Sequence, residues 1–150
     1  MGVYMQLTMI SAGLMLIFRL IGIWFPSLAN WQNDARWSMA AFFVIAGITH
    51  FGPARSEFAA MVPPWVPVNA SLVIAITGVL EIAGGIGLLL PATSRLAGIC
   101  LLVFLVAVFP ANVNAAEHHL RIFGQPHPPL IPRLLDQIVL FALVAWGAVL

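Results

Sequence analysis

Residues 71–90 form an uninterrupted apolar run that contains a single ionisable side chain, Glu81, close to its middle. At ~1.5 Å per residue a helix of this length spans about 30 Å, which is the hydrocarbon thickness of a bilayer. The run therefore predicts a transmembrane helix with a carboxyl group near the bilayer midplane. A carboxylate at that depth costs at least ~2.5 kcal/mol, so the side chain must face protein, water or a partner group.

The face of this predicted helix that carries Glu81 is formed by small residues: Thr77, Gly78, Gly84 and Gly85. Side chains three and four positions apart overlie one another on a helix, and small side chains let a second helix approach closely in lipid. Glu81 is thus predicted to lie in a seam between helices. Two interpretations stay open: the carboxyl group either makes a structural hydrogen bond between helices, or it acts on a ligand or a proton.

Composition supports membrane insertion and excludes several functions. Hydrophobic residues make up 62% of the 150 residues and charged residues 7%, whereas soluble domains carry roughly 25% charged residues. We expect a multi-pass integral membrane protein. The six basic residues are all arginine and the net charge is +1, which argues against a nucleic-acid partner. Cys100 is the sole cysteine, so thiol-disulfide exchange within this chain is excluded.

Apolar runs and helix breakers predict one all-α domain over residues 1–150 with five crossings, at about residues 5–25, 37–51, 71–90, 95–118 and 133–150. Residues 27–36 are predicted to be a polar connection after Pro26. Four prolines between residues 52 and 69 predict an interfacial segment that holds a short helix capped by Ser56. Arg19, near one end of the first helix, either reaches the membrane surface or neutralises a buried carboxylate.

Alternating helix direction brings most of the polar side chains to one end of the bundle. They are His50, Asn112, Asn114, Glu117, His118, His119, Arg133, Asp136 and Gln137, with Glu81 halfway along its helix. The opposite halves of the second, third and fourth crossings are predicted to be apolar. This distribution is typical of a pocket that is polar on one side.

Each of these residues also has a structural explanation. His50 suits a helix C-terminus, Asn112 and Asn114 can bond carbonyl groups freed by Pro110, and His118 can be solvated. Arg133 and Asp136 have the spacing of an ordinary helical ion pair. No HxxxH or CxxC spacing is present, so we predict no metal site, although four residues have suitable donor atoms: His50, Glu81, Glu117 and His118.

Five segments together resemble the DoxX-like family of small bacterial membrane proteins, over roughly residues 36–150. They are AGITHF (46–51), VPPWVP (62–67), TGVLEIAGGIGLLLP (77–91), SRLAG (94–98) and VAVFPANVNAA (106–116). The resemblance implies a four-helix membrane bundle, to which residues 5–25 add a helix, and it points to His50, Glu81 and Asn112 as the family's polar positions. Some members of that family are linked to quinone-coupled sulfur oxidation and others to assisting redox enzymes.

The leading hypothesis is a multi-pass protein of the bacterial inner (plasma) membrane whose half-polar bundle binds an apolar ligand with a polar head, such as a quinone, and supports a membrane redox process. The predicted ligand-binding or proton-relay residues are His50, Glu81, Asn112, Asn114, Glu117 and His118. The chain has no haem or flavin motif, so electrons must come from a membrane partner. We therefore do not expect an enzyme that acts alone.

Two other functions remain open. The chain could be a non-catalytic accessory or assembly subunit, or a homo-oligomer, that uses its small-residue stripes to dock membrane helices. It could also be a lipid or sterol-like isomerase that uses His50 and Glu81 as acid and base.

Overall fold

A computed structural model of the chain describes residues 6–25 and 30–150. Its helices are α1 (Gln6–Trp24), α2 (Trp31–Thr49), α3 (Arg55–Met61), α4 (Ala70–Leu89), α5 (Ser94–Glu117) and α6 (Leu130–Val144), the last continued by a π-helical turn (Ala145–Val149). Two strands of two residues each, β1 (Arg121–Ile122) and β2 (Gln125–Pro126), form an antiparallel hairpin. The prediction of an all-α fold is confirmed for this part of the chain.

Four helices of the described part are long and apolar enough to cross a membrane. They are α1, α4, α5 and α6 with its π-helical turn (Leu130–Val149). The chain is therefore a helical membrane protein. α2 does not belong to this set, and its first turns carry the polar side chains of Gln32, Asn33, Asp34 and Arg36.

The five long helices run alternately in opposite directions. α2 and α4 are antiparallel, since the end of α2 at His50 contacts Thr77 while Ala40 lies against Gly85. α5 and α6 are antiparallel as well, because Asn112 bonds Arg133 at one end while Gly98 lies against the final turn of the chain. We call the end of the bundle that contains His50, Asn112 and Arg133 the polar end.

The seam between α2 and α4 is made by glycines at which the two backbones nearly touch. A Cβ atom built on Gly47 would lie 2.6 Å from the carbonyl oxygen of Gly78, and one built on Gly85 would lie 2.8 Å from the carbonyl oxygen of Ala40. Gly78 has equally little room, because its Cβ would come within 2.8 Å of the His50 side chain. The predicted small-residue seam beside Glu81 is thus present, and α2 fills it.

The start of α2 differs from the prediction. The helix begins at Trp31 and not near residue 37, because Asn30 acts as N-cap and its side chain accepts a hydrogen bond from the Gln32 backbone N–H. Asp34 lies in the first turn, where the helix dipole favours an acid. The predicted polar connection over residues 27–36 is therefore wrong from Trp31 onwards. Residues 26–29 and the predicted start at residue 5 lie outside the described residues.

An ion pair between a partly exposed arginine and a buried carboxylate lies at the end of the bundle opposite the polar end. Asp34 is 1% exposed, and the Arg19 Nη1 atom lies 3.5 Å from its Oδ2 atom. The guanidinium group of Arg19 also stacks over the ring of Trp31, 4.6 Å from its centroid. Of the two interpretations of Arg19, the structure therefore shows the neutralising one. The expectation that this half of the bundle is apolar is wrong, because α2 carries Asp34 into it.

We predict that Arg19→Met lowers the free energy of unfolding by about 2 kcal/mol, since it leaves the buried Asp34 carboxylate without its cation. The expected loss is smaller than for a fully buried pair because the Arg19 side chain is 36% exposed. Denaturant unfolding in detergent micelles measures it. The double variant Arg19→Met, Asp34→Asn should regain most of the loss, and a single variant as stable as the wild type would contradict the assignment.

The polar end is covered by α3 and the hairpin. Asn114 on α5 donates to the Met61 carbonyl at the end of α3 over 3.0 Å, and Glu57 on α3 accepts a 3.3 Å hydrogen bond from the Gly124 N–H. Gly124 and Phe123 form the hairpin turn with φ values of +70° and +53°, as a two-residue turn with a right-handed strand twist requires. Together these contacts close the end of the bundle.

Two further boundaries differ from the predictions. α3 begins at Arg55 after Ala54, which offers no side-chain cap, so the predicted capping role of Ser56 is wrong. α6 begins at Leu130, three residues before the predicted start, because Pro132 is compatible with the first turn of a helix, where its missing N–H is not needed.

Candidate ligand-binding cavity

A cavity of about 570 Å³ lies inside the bundle at the polar end. Its volume falls in the ~300–1,000 Å³ range of small-molecule sites. Its apolar lining includes Phe42, Phe43, Phe58, Val73, Ile74, Leu80, Phe104 and Val108, and its polar lining includes His50, Thr77, Glu81, Asn112, Arg133, Asp136 and Gln137. A mostly apolar pocket with a few converging polar groups is the usual form of a ligand site.

His50 and Glu81 meet on one wall of the cavity. The close α2–α4 packing brings His50 Nε2 to 3.5 Å from Glu81 Oε2, with the two side chains 13% and 12% exposed. Thr77 Oγ1 lies 3.1 Å from the Ile74 carbonyl oxygen and 3.3 Å from His50 Nδ1. His50 Nε2 and Glu81 are close enough to hold a proton between them.

Arg133 and Asn112 form the facing wall. Asn112 is 4% exposed, and its Oδ1 atom accepts a 3.0 Å hydrogen bond from Arg133 Nε. This bond fixes the guanidinium plane, while the Nη1 atom is buried and has no hydrogen-bond partner in the described part of the chain. Both ion pairs found within 4.0 Å among the described residues, Arg19 with Asp34 and His50 with Glu81, leave Arg133 out.

Asp136 is held by α1 instead of by Arg133. It is 1% exposed, and its Oδ1 atom accepts hydrogen bonds from the Thr8 hydroxyl and, over 3.1 Å, from the Thr8 backbone N–H. The expected helical ion pair between Arg133 and Asp136 is therefore not formed at contact distance, because each side chain has a partner on another helix. α1 also contributes Gln6, Leu7 and Ile10 to the cavity lining.

Gln137 completes the polar lining. It is 7% exposed and donates a 2.6 Å hydrogen bond from Nε2 to the Leu105 carbonyl, two turns before Asn112 on α5. Its Oε1 atom is buried and has no partner among the described residues. Arg133 and Gln137 are four residues apart and so lie on the same face of α6.

Three residues that line the cavity have a buried side-chain atom that makes no hydrogen bond in the described part of the chain: Arg133 Nη1, Gln137 Oε1 and Glu81 Oε2, which His50 Nε2 approaches only to 3.5 Å. A buried polar group without a hydrogen bond costs about 1–3 kcal/mol, and more when it is charged. Such groups are satisfied by water or by a ligand. The arrangement favours a molecule with a polar head that can reach α4 and α6 together.

The structure brings three of the six predicted site residues to the cavity, namely His50, Glu81 and Asn112. Asn114 is occupied in holding α3, and Glu117 and His118 are exposed. Glu117 lies five residues after Asn112, which rotates it roughly 140° around the helix. It lines a separate pocket of about 200 Å³ with His119 and His127.

Among the described residues, no group of three or more His, Cys, Asp or Glu side chains could hold a metal ion.

His127 lies in the connection between the hairpin and α6 and touches both cavities. Burial lowers the pKa of its imidazole, the Pro128 carbonyl opposes this shift by accepting a 2.8 Å hydrogen bond from Nδ1, and the Arg133 charge lowers the pKa further. His127 is therefore neutral near pH 7 and adds no positive charge beside Arg133.

Sequence reasoning did not place Arg133, Asp136 and Gln137 among the site residues, although it assigned them to the polar end. The available signal was the spacing of Arg133 and Gln137, which puts two polar groups on one face of an apolar helix. Thr8 carried no signal, because a threonine in an apolar helix commonly bonds its own backbone.

These features define a class: a helical membrane protein whose bundle encloses a half-polar cavity at one end. The chain belongs to the family described as a domain of unknown function, DUF8561, whose model matches residues 39–149. The matched region contains all of α4, α5 and α6, whereas α1 and the first turns of α2 precede it. None of the curated proteins and none of the solved structures matches the chain.

Proposed function

We propose that this chain is a DoxX-like, multi-pass protein of the bacterial inner membrane that binds an apolar ligand with a small polar head, with a quinone as the leading example. The observation that carries the proposal is a mostly apolar cavity in which three lining residues, Glu81, Arg133 and Gln137, each have a buried polar atom without a hydrogen bond in the described part of the chain. A quinone has a ring with two oxygen atoms and an isoprenoid tail, so it offers both kinds of surface.

The head group would lie between α4 and α6. Arg133 would donate a hydrogen bond to one oxygen atom, and the His50–Glu81 pair would contact the ring from the opposite wall. The tail would lie along apolar side chains of α4 and α5 that line the cavity, such as Leu80, Phe104 and Val108. Burial of this apolar surface would supply most of the affinity.

The His50–Glu81 pair gives the site a means of handling protons. Reduction of a quinone to a quinol takes up two electrons and two protons, and the pair can hold one proton and exchange it with the head group. The electrons would come from a membrane redox partner. This chain would thereby support a redox process without being a complete oxidoreductase.

Five crossings follow most simply from the alternating direction of the five long helices. α2 packs between α1 and α4 and lies against the final turn of the chain, where the Gly147 backbone approaches Arg36. Its buried Asp34 is matched by Arg19, which lowers the cost of placing these turns within the bundle. The two chain ends would then lie on opposite sides of the membrane.

The test is the binding of a short-chain quinone to the purified protein, followed by quenching of tryptophan fluorescence. Trp65 lines the cavity, so Trp65→Phe should remove most of the saturable quenching. We predict that Glu81→Gln weakens binding up to about 10-fold, as expected for loss of one hydrogen bond that contributes about 0.5–1.5 kcal/mol. Glu117→Gln, at an exposed position outside the cavity, is the matched control and should leave the affinity unchanged.

Failure of the wild-type protein to bind any quinone saturably would refute the quinone proposal. Equal affinities of the wild type, Glu81→Gln and Glu117→Gln would place the head group elsewhere.

The alternative is a non-catalytic accessory or assembly subunit, which would co-purify with one stoichiometric partner and without a ligand. The structure gives it less support than the sequence did, because the glycine stripes expected to dock a partner are occupied by the contact between α2 and α4.

A further inference from the structure

We infer that the cavity binds the reduced, hydroxyl-bearing form of its head group, a quinol, more tightly than the oxidised quinone. This inference rests on the proposed function, and it concerns the chemistry of the three unpaired atoms. A quinol has two O–H groups that donate and accept hydrogen bonds, whereas the two carbonyl groups of a quinone accept only.

Gln137 supplies an acceptor. The Leu105 carbonyl accepts hydrogen bonds and donates none, so the side-chain atom 2.6 Å from it must be the amide nitrogen of Gln137. The other amide atom, the unpaired one, is therefore Oε1, and it can bond a ligand only if the ligand donates a proton. A carbonyl oxygen of a quinone would repel it.

Arg133 supplies the donor. Asn112 fixes the guanidinium group through Nε, and the buried Nη1 atom has no partner in the described part of the chain. Leu105 and Asn112, which bond Gln137 and Arg133, lie about two turns apart on α5, so one oxygen atom of a quinol would accept from Arg133 and the other would donate to Gln137. The two carbonyl oxygens of a quinone would satisfy Arg133 and leave Gln137 unpaired.

The opposite wall does not set the preference. His50 and Glu81 can hold a proton between them, so Glu81 Oε2 can accept from a quinol or, when protonated, donate to a quinone.

The experiment compares the affinities of decylubiquinol and decylubiquinone for the wild-type protein in detergent, under anaerobic conditions for the quinol. A site with a buried acceptor discriminates against a ligand that lacks the matching donor, so we expect the quinol to bind at least ~10-fold more tightly. For a two-electron couple this raises the midpoint potential of the bound quinone by about 30 mV per tenfold difference. A redox titration of the bound ligand gives a second readout.

The variant Gln137→Met keeps the size of the side chain and removes the acceptor. We expect the preference for quinol to fall severalfold, with the affinity for the oxidised form unchanged or improved. Gln32→Met is the matched control, because Gln32 also donates from its side chain to a backbone carbonyl, that of Trp146, but lies outside the cavity at the opposite end of the bundle. It should retain the full preference.

The outcomes separate the two proposals. If neither form binds, the proposed function fails. If both forms bind with equal affinity, or if the quinone binds more tightly, the proposed function stands and the preference for the reduced form is refuted. The wild-type comparison decides this even if a variant does not fold.

Discussion

The variant Gly47→Val is expected to lower the free energy of unfolding by about 3 kcal/mol, at the upper end of typical overpacking effects. A Cβ at this position meets the Gly78 carbonyl oxygen at 2.6 Å and the Ile82 side chain at 2.7 Å. The nearest obstacle is backbone, which cannot rotate aside, so α2 and α4 must separate. Since the same contact brings His50 to Glu81, quinone binding should fall as well.

Gly13→Val is the control for this prediction. Gly13 lies on α1, and nothing comes within 4 Å of the position its Cβ would take. Valine and glycine differ little in helix propensity, so we expect a change within ~0.5 kcal/mol. Denaturant titration followed by circular dichroism measures both variants. Equal stability of the two would mean that α2 and α4 do not pack as closely as described.

The second large effect is expected for Arg133→Met, which should weaken quinone binding about 10- to 100-fold. The substitution removes the buried donor of the cavity, and a hydrogen bond from a charged group contributes about 1.5–3 kcal/mol. Arg133→Lys keeps the charge but loses the fixed plane and the bond to Asn112, so an intermediate affinity is expected. The fluorescence titration with a short-chain quinone measures all three proteins.

Arg121→Met provides the comparison for the loss of a positive charge. Arg121 lies on the exposed hairpin, where its guanidinium group bonds the Gly124 carbonyl and does not face the cavity. The quinone affinity of the Arg121→Met variant should match that of the wild type. If Arg133→Met binds quinone as tightly as Arg121→Met does, the head group does not contact Arg133.

Much of the architecture could be predicted from the sequence because hydrophobic length and proline breakers act locally. They predicted the ends of α4 and α5 to within one residue. The alternation of helix direction placed His50 and Asn112 at one end of the bundle, with Glu81 halfway along its helix. The glycine spacing around Glu81 indicated a close helix contact. The contact is with α2, which pattern alone could not specify, since any helix with small residues satisfies the same rule.

The remaining features depend on tertiary partners. α2 was predicted to start too late because its polar first turns were interpreted as a loop, although Asn30 followed by Asp34 is typical of a helix N-terminus. Burial of Asp34 needs Arg19 from another helix. In the same way Arg133 bonds Asn112 on α5, whereas the sequence indicated a local pair of Arg133 with Asp136.

Photoaffinity labelling with an azido-quinone tests most directly the claim that the cavity at the polar end holds the ligand head. The account predicts that labelled peptides, identified by mass spectrometry, contain cavity-lining residues of α3 and α4 such as Phe58 and Glu81, and that excess unlabelled quinone abolishes the labelling. Labelling that cannot be saturated and that falls on exposed apolar residues of α1, such as Ile17 and Ile23, would contradict it.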